Sequence, residues 1–369
     1  MRVGYILGSL NGDGAPWKYY KRLIKNVSSE SDITPIGIYT GGDPAQFDIE
    51  IKFVKMDGLL PNWHSLTASN DIDLIHLNGL PVYGNIIALR CQVPVVATNH
   101  GTLHWATELP DDILPPWSYS QRKRIGDRIS KYTVDKAFAV SHSTKQVLQT
   151  RAKWPERKIS ATYEPIDDAF FEQEPDYTSK WSDHSYMLHV SAAAPKKNVH
   201  RLLDAYAQYY DQAPDPLELV IAGPGWDDAI ASAQSRHDFG GAVTYTGYIP
   251  MKELIALYDN TELFVFPSLH ETFGLPNIEA MARGAPVLTT RQYGIPDVVG
   301  DAAAFIESPK NTNSIATALQ NVAHDTSQLA DLTNKGQQRA NLYTWQRHYQ
   351  ILNEEYELMV HNEKTKHFK

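Results

Sequence analysis

The feature that most constrains the fold of this 369-residue chain is a series of short, continuously apolar segments separated by stretches with helical periodicity. Val93–Thr98, Lys136–Val140 and Leu263–Pro267 are apolar almost throughout and do not alternate apolar with polar residues. A strand needs that composition when helices cover both faces of its sheet, which is the arrangement of parallel sheets in α/β proteins. The chain is therefore predicted to have an α/β fold.

The predicted elements form two similar halves. The predicted strands are Arg2–Leu7, Thr34–Tyr39, Ile51–Val54, Leu74–Leu77, Val93–Thr98 and Lys136–Val140, then Tyr186–Val190, Leu217–Ala222, Val243–Thr246, Leu263–Pro267, Pro286–Thr289 and Ala303–Ile306. The predicted helices include Trp17–Val27, Gly84–Cys91, Ser143–Ala152, Asn198–Tyr210, Lys252–Asp259, Pro276–Arg283, Ser314–Asp325 and a long amphipathic helix at Leu342–His361. Two doubly wound domains are expected, at 1–165 and 185–345, joined by a linker at 166–184. Ligands are expected in a cleft at the carboxyl ends of the strands.

Composition excludes several classes of protein. The chain has 34 Lys and Arg against 43 Asp and Glu, a net charge of −9, so general nucleic-acid binding is not expected. The single cysteine, Cys91, excludes an intrachain disulfide and a Cys-based zinc site. No apolar run reaches the length of a membrane span, and the first residues do not resemble a signal peptide. These features favour a cytoplasmic location.

The segment ELFVFPSLHETFGLPNIEAMARGAPVLTT carries the most functional information. A strand ends in a loop that contains Glu271, and a helix follows whose first turn is predicted to contain Glu279. The amides of Gly274, Leu275 and Asn277 are expected to point out of the helix N-terminus, where phosphate binds readily. A carboxylate accepts hydrogen bonds from vicinal hydroxyls of a ribose or hexose. The segment therefore predicts a binding site for a nucleotide diphosphate sugar.

The same segment contains Pro-Ser-x-x-Glu-x-Phe-Gly-Leu-Pro-x-x-Glu-Ala-Met-Ala-x-Gly-x-Pro-Val, which closely resembles the signature of retaining GT-B glycosyltransferases of family 4. Further segments resemble that family and follow in its order: Ser191–Asn198, Leu219–Gly225, Val243–Pro250 and Tyr343–Trp345. The resemblance implies two Rossmann-like domains facing across a cleft, and a C-terminal helix, about 346–369, that crosses back to the first domain. It also implies transfer without a metal or a cofactor.

The resemblance further implies which residues form the site. The implied catalytic residues are Glu271, His100 and Lys197, and the implied donor-binding residues are Gly14, Lys196, Gly225, Tyr248, Phe273, Gly274, Leu275 and Glu279. The family usually holds the donor diphosphate with an arginine and a lysine five residues apart. Here Lys197 occupies the lysine position, but Ala192 stands where the arginine is expected. A fixed cation is needed because a departing diphosphate gains negative charge, and Lys196 supplies a neighbouring one.

The function implied is retaining transfer of a hexose from a nucleotide diphosphate sugar to a hydroxyl of an acceptor glycan or glycolipid, in the synthesis of a polysaccharide, glycolipid or glycoconjugate. Three alternative functions are compatible with parts of the sequence. Ala192 is compatible with a relative that binds the donor but does not transfer the sugar. A hydrolysing nucleotide-sugar epimerase would share the two-domain plan, as would a two-lobed binding protein, which would carry a secretion signal. The sequence does not distinguish a UDP from a GDP donor, nor does it identify the acceptor.

A locally basic stretch, Pro116–Tyr132, predicts a helix at the inner membrane face. Its cations are Arg122, Lys123, Arg124 and Arg128, joined by Lys131, and its apolar residues are Ile125, Ile129 and Tyr132. Cations beside an apolar edge favour peripheral contact with anionic lipid. The alternative interpretation is an ordinary amphipathic helix, whose isoleucines face the core of the first domain and whose cations face water.

Overall fold

The computed structural model describes residues 1–10, 15–30, 32–47, 49–56, 62–80, 82–106, 109, 113–172, 181–182 and 184–366. The chain forms two compact units. The first unit comprises Met1–Glu108, Leu114–Tyr163 and Trp345–Lys369, and the second comprises Glu164–Thr344 with Leu109–Ile113. The first unit is therefore assembled from segments that lie on both sides of the second unit in the sequence.

Strands and helices alternate along the described residues. The strands are β1 (Arg2–Ser9), β2 (Thr34–Gly41), β3 (Lys52–Lys55), β4 (Leu74–Asn78), β5 (Val95–Asn99), β6 (Lys136–Ala139), β7 (Ile159–Ala161), β8 (Tyr186–Val190), β9 (Glu218–Ala222), β10 (Val243–Gly247), β11 (Leu263–Val265), β12 (Val287–Thr290) and β13 (Ala304–Ile306). The helices are α1 (Ala15–Glu30), α2 (Trp63–Ser69), α3 (Val82–Arg90), α4 (Trp117–Thr133), α5 (His142–Thr150), α6 (Val199–Gln212), α7 (Asp227–Arg236), α8 (Met251–Asn260), α9 (Leu275–Ala282), α10 (Ile295–Val299), α11 (Thr312–Val322), α12 (Thr326–Ala340) and α13 (Trp345–Lys366). The sequence did not predict β7, α2, α7, α10 or α12.

The first unit is built on a parallel sheet with the strand order β3-β2-β1-β4-β5-β6-β7 across the described residues. Successive residues of the interior strand β5 enter different cores: Val95 and Ala97 pack on one face of the sheet, and Val96 packs on the other beside Val3. Each fully buried aliphatic side chain contributes about 1.5–3 kcal/mol relative to an exposed one. The continuous apolar pattern of the strand therefore results from burial on both faces, which confirms the predicted α/β fold.

Helix α13 belongs to the first unit. Its side chains Trp345, Leu352 and Tyr356 are buried in the same core as Val96. The Tyr356 hydroxyl lies 2.6 Å from His76 Nδ1, so a buried polar contact also joins this helix to β4. The amphipathic stripe in the sequence is thus explained by docking of the helix on the sheet of the first unit.

The acidic pair that precedes β4 has a structural role. Asp71 forms an exposed ion pair with Arg2 at 2.5 Å, and Asp73 accepts a hydrogen bond from the Arg2 backbone amide at 2.8 Å. Both carboxylates therefore help to align the starts of β1 and β4.

The second unit is also built on a parallel sheet, with the order β10-β9-β8-β11-β12-β13 in the part of the chain that is described. Its largest core lies between the sheet and helices α6, α7 and α11, with Leu202, Tyr206, Ile221, Val265 and Leu319 among its buried side chains. Both units are Rossmann-like α/β folds. Among the described residues, no helix is long and apolar enough to cross a lipid bilayer.

Candidate functional site

The loop after β8 presents two lysines in a fixed turn. Pro195–Lys197, here called the lysine turn, forms one turn of 3-10 helix that ends at Asn198. Asn198 has a φ of 64°, a left-handed conformation that asparagine tolerates better than most residues. Its side-chain amide donates to the carbonyls of Pro267 at 3.1 Å and Pro309 at 2.7 Å. These bonds hold the lysine turn against the segments that follow β11 and β13.

Glu271 lies at the centre of the site. Its carboxylate accepts hydrogen bonds from Lys197 Nζ at 2.7 Å, Lys196 Nζ at 3.3 Å and Ser268 Oγ at 2.9 Å. Burial of Glu271 would raise the pKa of its carboxyl group, but the two lysines and the Ser268 hydroxyl outweigh burial and lower that pKa to about 2. Glu271 is therefore ionised at neutral pH, and the structure brings together three of the residues predicted from the sequence.

The ion cluster formed by Glu271, Lys196 and Lys197 carries an excess positive charge. Two ammonium groups surround one carboxylate, which leaves one positive charge uncompensated within the cluster. Side-chain exposure is 29% for Lys196 and 16% for Lys197, against 9% for Glu271. The cations are thus the accessible part of the cluster, and they offer an anionic ligand an electrostatic attraction that water screens only partly.

Helix α9 begins beside Glu271. Gly274 caps it with a φ of 90°, and a Cβ atom at this position would lie 2.9 Å from Asn277 Nδ2. The expectation for Asn277 was wrong: its backbone amide donates to the Gly274 carbonyl at 3.0 Å and does not point away from the helix. The amides of Gly274 and Leu275 come before the first intrahelical donor, Asn277, and they are the positions where a helix N-terminus can bind an anion.

Glu279 lies beyond the first turn of α9, contrary to the prediction. It is half-buried, and its Oε2 accepts a hydrogen bond from the Tyr258 hydroxyl at 3.1 Å. Burial and the neighbouring carboxylate raise the pKa of Tyr258 well above its usual range, so this hydroxyl keeps its proton and donates it to the hydrogen bond. Tyr258 therefore fixes one oxygen of Glu279 in place.

A glycine turn packs on the loop that carries the lysines. Gly223 has a φ of 114°, and a Cβ atom there would lie 2.2 Å from the Ser191 carbonyl oxygen. Gly225 is exposed and has a φ of 88°, and a Cβ atom there would lie 3.0 Å from the Ala193 Cβ. The Ala193 amide donates to the Pro224 carbonyl at 2.9 Å. Only glycine permits this close approach at these backbone angles, which places Gly225 beside the loop of the lysine turn.

Tyr248 and Phe273, both predicted to bind the donor, differ from each other in side-chain exposure. Tyr248, which follows β10, is 80% exposed. Phe273 is buried, and its ring packs edge-on against Tyr343 with 5.4 Å between centroids. Phe273 can therefore contribute to a ligand site through its backbone, while its side chain belongs to the core.

Two family models match this chain. The model described as Glycosyl transferases group 1 covers residues 171–339, and the model described as Glycosyltransferase Family 4 covers residues 51–170. The chain belongs to glycosyltransferase family 4. The candidate ion cluster and the start of α9 both lie within the residues matched by the first of these models.

Curated relatives of this family-4 chain include two mannosyltransferases. O-antigen chain mannosyltransferase B of Escherichia coli is 32% identical over 46% of this chain and 44% of its own length. O-antigen chain mannosyltransferase RfbU of Salmonella typhimurium is 27% identical over 65% of this chain and 69% of its own length. The chain thus spans less than half the length of the first of these relatives.

Solved structures with the same fold cover nearly the whole chain. Anabaena Alr3699/HepE, crystallised in complex with UDP and glucose, gives a TM-score of 0.72 at 19% identity, covering 96% of this chain and 98% of that chain. WaaG, a glycosyltransferase involved in lipopolysaccharide biosynthesis, gives a TM-score of 0.69 at 12% identity, covering 97% of this chain and 99% of that chain. These similarities confirm the predicted GT-B fold for this family-4 chain.

The remaining predicted residues belong to the first unit. His100 follows β5 and is half-buried, and its ring lies edge-on against Tyr19 with 4.6 Å between centroids. The nearby His104 is buried, with Nε2 2.7 Å from an oxygen of Asp127. This contact gives His104 a structural role in the first unit. Gly14 lies outside the described residues.

Sequence reasoning missed two residues of this family-4 site. Ser268 bonds to Glu271, and the His189 ring stacks on Phe266, whose ring lies 4.8 Å from Lys197 Nζ. His189 is buried between the Val265 carbonyl, 2.9 Å from Nδ1, and the Ser191 hydroxyl, 2.7 Å from Nε2. Burial lowers its pKa to about 4, so it is uncharged at neutral pH. Ser268 could have been found, because it stands three residues before Glu271 in the Pro-Ser-x-x-Glu motif. His189 carries no such signal, since a buried histidine in a strand has no distinctive spacing.

The basic stretch forms α4, but the interpretation that its isoleucines face the core is wrong. The buried residues of α4 are Ser120, Gly126, Asp127 and Ser130. Ile125 and Ile129 are 50% and 42% exposed, and Trp117 and Tyr132 are also exposed. Small and polar residues make the inner face because α4 packs closely against α3, and the apolar residues are left outside.

The cations of α4 divide into two groups. Arg124 and Arg128 lie over the Trp105 ring at 5.4 and 5.2 Å, and Arg124 also donates to the His104 carbonyl. Arg122 bonds within the helix, to the Ser118 carbonyl. Arg122 and Arg128 are exposed, whereas Lys123 and Arg124 are half-buried, so Arg122 and Arg128 are the better placed to meet an external anionic surface.

Proposed function

We propose that this chain is a retaining, metal-independent glycosyltransferase that moves mannose from a nucleotide diphosphate sugar to an acceptor hydroxyl in the synthesis of a polysaccharide or glycolipid. The observation that carries the proposal is the ion cluster, in which Lys196 and Lys197 converge on Glu271 beside the start of α9. Mannose is favoured because both O-antigen relatives are mannosyltransferases. The UDP bound in the HepE crystal structure supports a nucleotide sugar as donor.

The lysines supply the charge stabilisation that the reaction needs. The bond between the anomeric carbon and the diphosphate breaks, and the departing oxygen gains negative charge. Lys197 and Lys196, together with the amides of Gly274 and Leu275, stabilise that charge. Lys196 compensates for the arginine that is absent at Ala192, since its ammonium group reaches the same carboxylate as Lys197.

The two glutamates orient the donor. Glu271 accepts hydrogen bonds from sugar hydroxyls, and Glu279, held by Tyr258, accepts them from the ribose. His100 contacts the donor sugar, while Tyr248 and Gly225 line the nucleotide side. The acceptor oxygen bonds to the anomeric carbon on the face that the phosphate leaves, and the acceptor proton passes to the leaving phosphate oxygen. The anomeric configuration is thereby retained.

Donor identity and stereochemistry can be tested together. GDP-mannose, UDP-glucose and UDP-galactose are titrated by calorimetry, and each is then incubated with octyl α-mannoside. We expect GDP-mannose to bind most tightly and to yield an α-linked product, identified by the anomeric proton signal in NMR. A β-linked product would contradict retention, and binding of none of the three would contradict the donor assignment.

Matched variants test the ion cluster. Glu271→Gln and Lys197→Met should each lower kcat by about 100-fold or more, because Glu271 orients the sugar and Lys197, while Lys197 stabilises the departing diphosphate. Asp331→Asn and Lys335→Met are the controls, because that ion pair has a similar distance, 2.6 Å, but lies exposed on α12. Equal effects on the two pairs would contradict the site assignment.

The alternatives from the sequence give different outcomes in the same assay. An epimerase would convert the nucleotide sugar without any acceptor, which mass balance of the donor incubated alone would reveal. A relative that only binds the donor would show a calorimetric signal but no product. Transfer that depends on the acceptor supports the glycosyltransferase proposal over both.

We also propose that α4 rests on the cytoplasmic face of an anionic membrane, near a lipid-linked acceptor. The supporting observation is the exposed stripe of Ile125, Ile129 and Tyr132, flanked by the exposed Arg122 and Arg128. An apolar edge flanked by cations suits the interface between headgroups and acyl chains.

Flotation with vesicles of phosphatidylglycerol and phosphatidylcholine tests the membrane contact. We expect salt-sensitive binding to anionic vesicles that is lost in Ile125→Ser/Ile129→Ser and weakened in Arg122→Ser/Arg128→Ser. Leu358→Ser is the control, because Leu358 is similarly exposed but lies on α13. Absence of flotation at low salt would contradict the contact.

A further inference from the structure

A buried network links α13 to α1 in the first unit. The Tyr19 hydroxyl lies 2.6 Å from His348 Nε2, and His348 Nδ1 lies 3.0 Å from the Thr162 carbonyl oxygen. A carbonyl oxygen can only accept, so Nδ1 carries the proton, and Nε2 must accept from the Tyr19 hydroxyl. Burial lowers the pKa of His348 to about 4, which keeps the ring uncharged and preserves this tautomer at neutral pH. The direction of both hydrogen bonds is therefore fixed.

The network fixes the orientation of the Tyr19 ring. Trp345 packs on Tyr19 with 5.8 Å between ring centroids and on His348 with the same separation. Tyr19 and His348 are both almost completely buried. A ring that is bonded at its hydroxyl and packed on its face has little rotational freedom.

His100 rests on this fixed ring. Its imidazole meets Tyr19 edge-on, with 4.6 Å between centroids and an angle of 68° between planes. His100 follows β5, Tyr19 lies on α1 and His348 lies on α13, so three separate elements converge at one point. Rotation of Tyr19 would remove the surface against which the His100 ring is packed.

We propose that Tyr19 and His348 are positioning residues that hold the His100 imidazole in the orientation that its contact with the donor sugar requires. The inference rests on the proposed role of His100. It assigns a function in the reaction to α13, which reaches His100 through the Tyr19 hydroxyl. Because catalysis is sensitive to displacements of about 1 Å, loss of the hydroxyl should lower kcat more than it raises KM.

The test uses the full chain with GDP-mannose and octyl α-mannoside, and it measures kcat and KM by GDP release. Tyr19→Phe keeps the ring but removes the hydrogen bond, and we expect about a 10-fold fall in kcat with KM within about 2-fold. His348→Gln, which keeps a polar group near the position of Nε2, should retain more activity than His348→Leu. Tyr356→Phe is the matched control, because it removes another hydroxyl bonded to a buried histidine, His76, in the same unit. Its kcat should be unchanged.

A double-mutant cycle separates positioning from general destabilisation. If Tyr19 acts through His100, Tyr19→Phe should have no further effect on kcat in a His100→Ala background. An equal fall in both backgrounds, or an equal fall in Tyr356→Phe, would overturn the inference. If His100→Ala lowers kcat but Tyr19→Phe and His348→Leu do not, the inference fails while the role of His100 stands. An unchanged kcat in His100→Ala would overturn both.

Discussion

Gly294 packs so tightly against the loop that carries Glu271 that replacement by alanine should displace this loop. Its amide donates to the Glu271 carbonyl at 2.9 Å. A Cβ atom at Gly294 would lie 2.0 Å from the Thr272 carbonyl oxygen and 2.6 Å from its carbon. The φ of Gly294 is −78°, which any residue adopts, so the effect of Gly294→Ala comes from the collision alone.

The size of the displacement follows from these distances. Real Cβ contacts essentially never fall below 3.0 Å, so the Thr272 carbonyl must move by at least about 1 Å from its present 2.0 Å. Crowding of a packed interior costs about 1–3 kcal/mol. A misplacement of about 1 Å in a catalytic constellation costs about 100-fold in rate. We therefore expect kcat/KM for GDP-mannose to fall about 100-fold, with a modest loss of unfolding free energy.

The assay combines urea denaturation with steady-state kinetics. Gly41→Ala is the control, because a Cβ atom at Gly41 has no heavy atom within 4 Å among the described residues, and its effect should stay within about 0.5 kcal/mol. If Gly294→Ala retains both the stability and the kcat/KM of the parent chain, the argument that this loop is rigidly positioned is wrong.

Three further predictions concern stability and charge. His189 and His348 are buried with pKa values of about 4, below the value of about 6.5 in the unfolded chain. Between these two pH values the unfolded chain binds more protons than the folded chain. Each histidine therefore contributes about 3 kcal/mol of unfolding free energy above pH 6.5, and this contribution should be lost as the pH falls towards 4. Urea midpoints that do not change between pH 7 and pH 4.5 would contradict this. Gly223→Ala should cost about 2–4 kcal/mol in urea denaturation, because it combines a φ of 114° with a collision against a backbone carbonyl, and a wild-type midpoint would disprove it. Lys197→Met should lower kcat more than Lys196→Met does, because Lys197 makes the shorter bond in the ion cluster and is less exposed, and the reverse order in steady-state kinetics would contradict that ranking.

The fold could be predicted where one local pattern determines the structure. The interior strand β5 begins with the apolar run Val95–Ala97 and is buried on both faces, and that pattern is visible in one chain segment. The strand β7 was missed because it has only three residues at the edge of the sheet, where burial leaves little trace. Helix α7 was missed because its sequence is dominated by Ala, Ser, Asp and Gln, which show no strong apolar stripe.

The sequence predicted which residues belong to the ion cluster but not how their side chains contact one another. The motif around Glu271 identified the important glutamate, and the resemblance identified Lys197. Neither indicated that Lys196 and Lys197 would bond directly to Glu271, because they lie 75 and 74 residues from it in sequence. The contact between Tyr19 and His348 spans 329 residues and was unpredictable for the same reason.

The docking of α13 on the first unit has a consequence for biosynthesis. During translation, the sheet of the first unit emerges early, but the helix that covers one of its faces is made only after the whole of Glu164–Thr344. At about 5–20 residues per second, this interval lasts roughly 10–35 s. Val3, Leu74 and Val96 lack part of their apolar cover during that time. We therefore expect ribosome-associated chaperones to bind the nascent chain. A ribosome stalled before residue 345 should hold an intermediate that is prone to aggregation and sensitive to proteases.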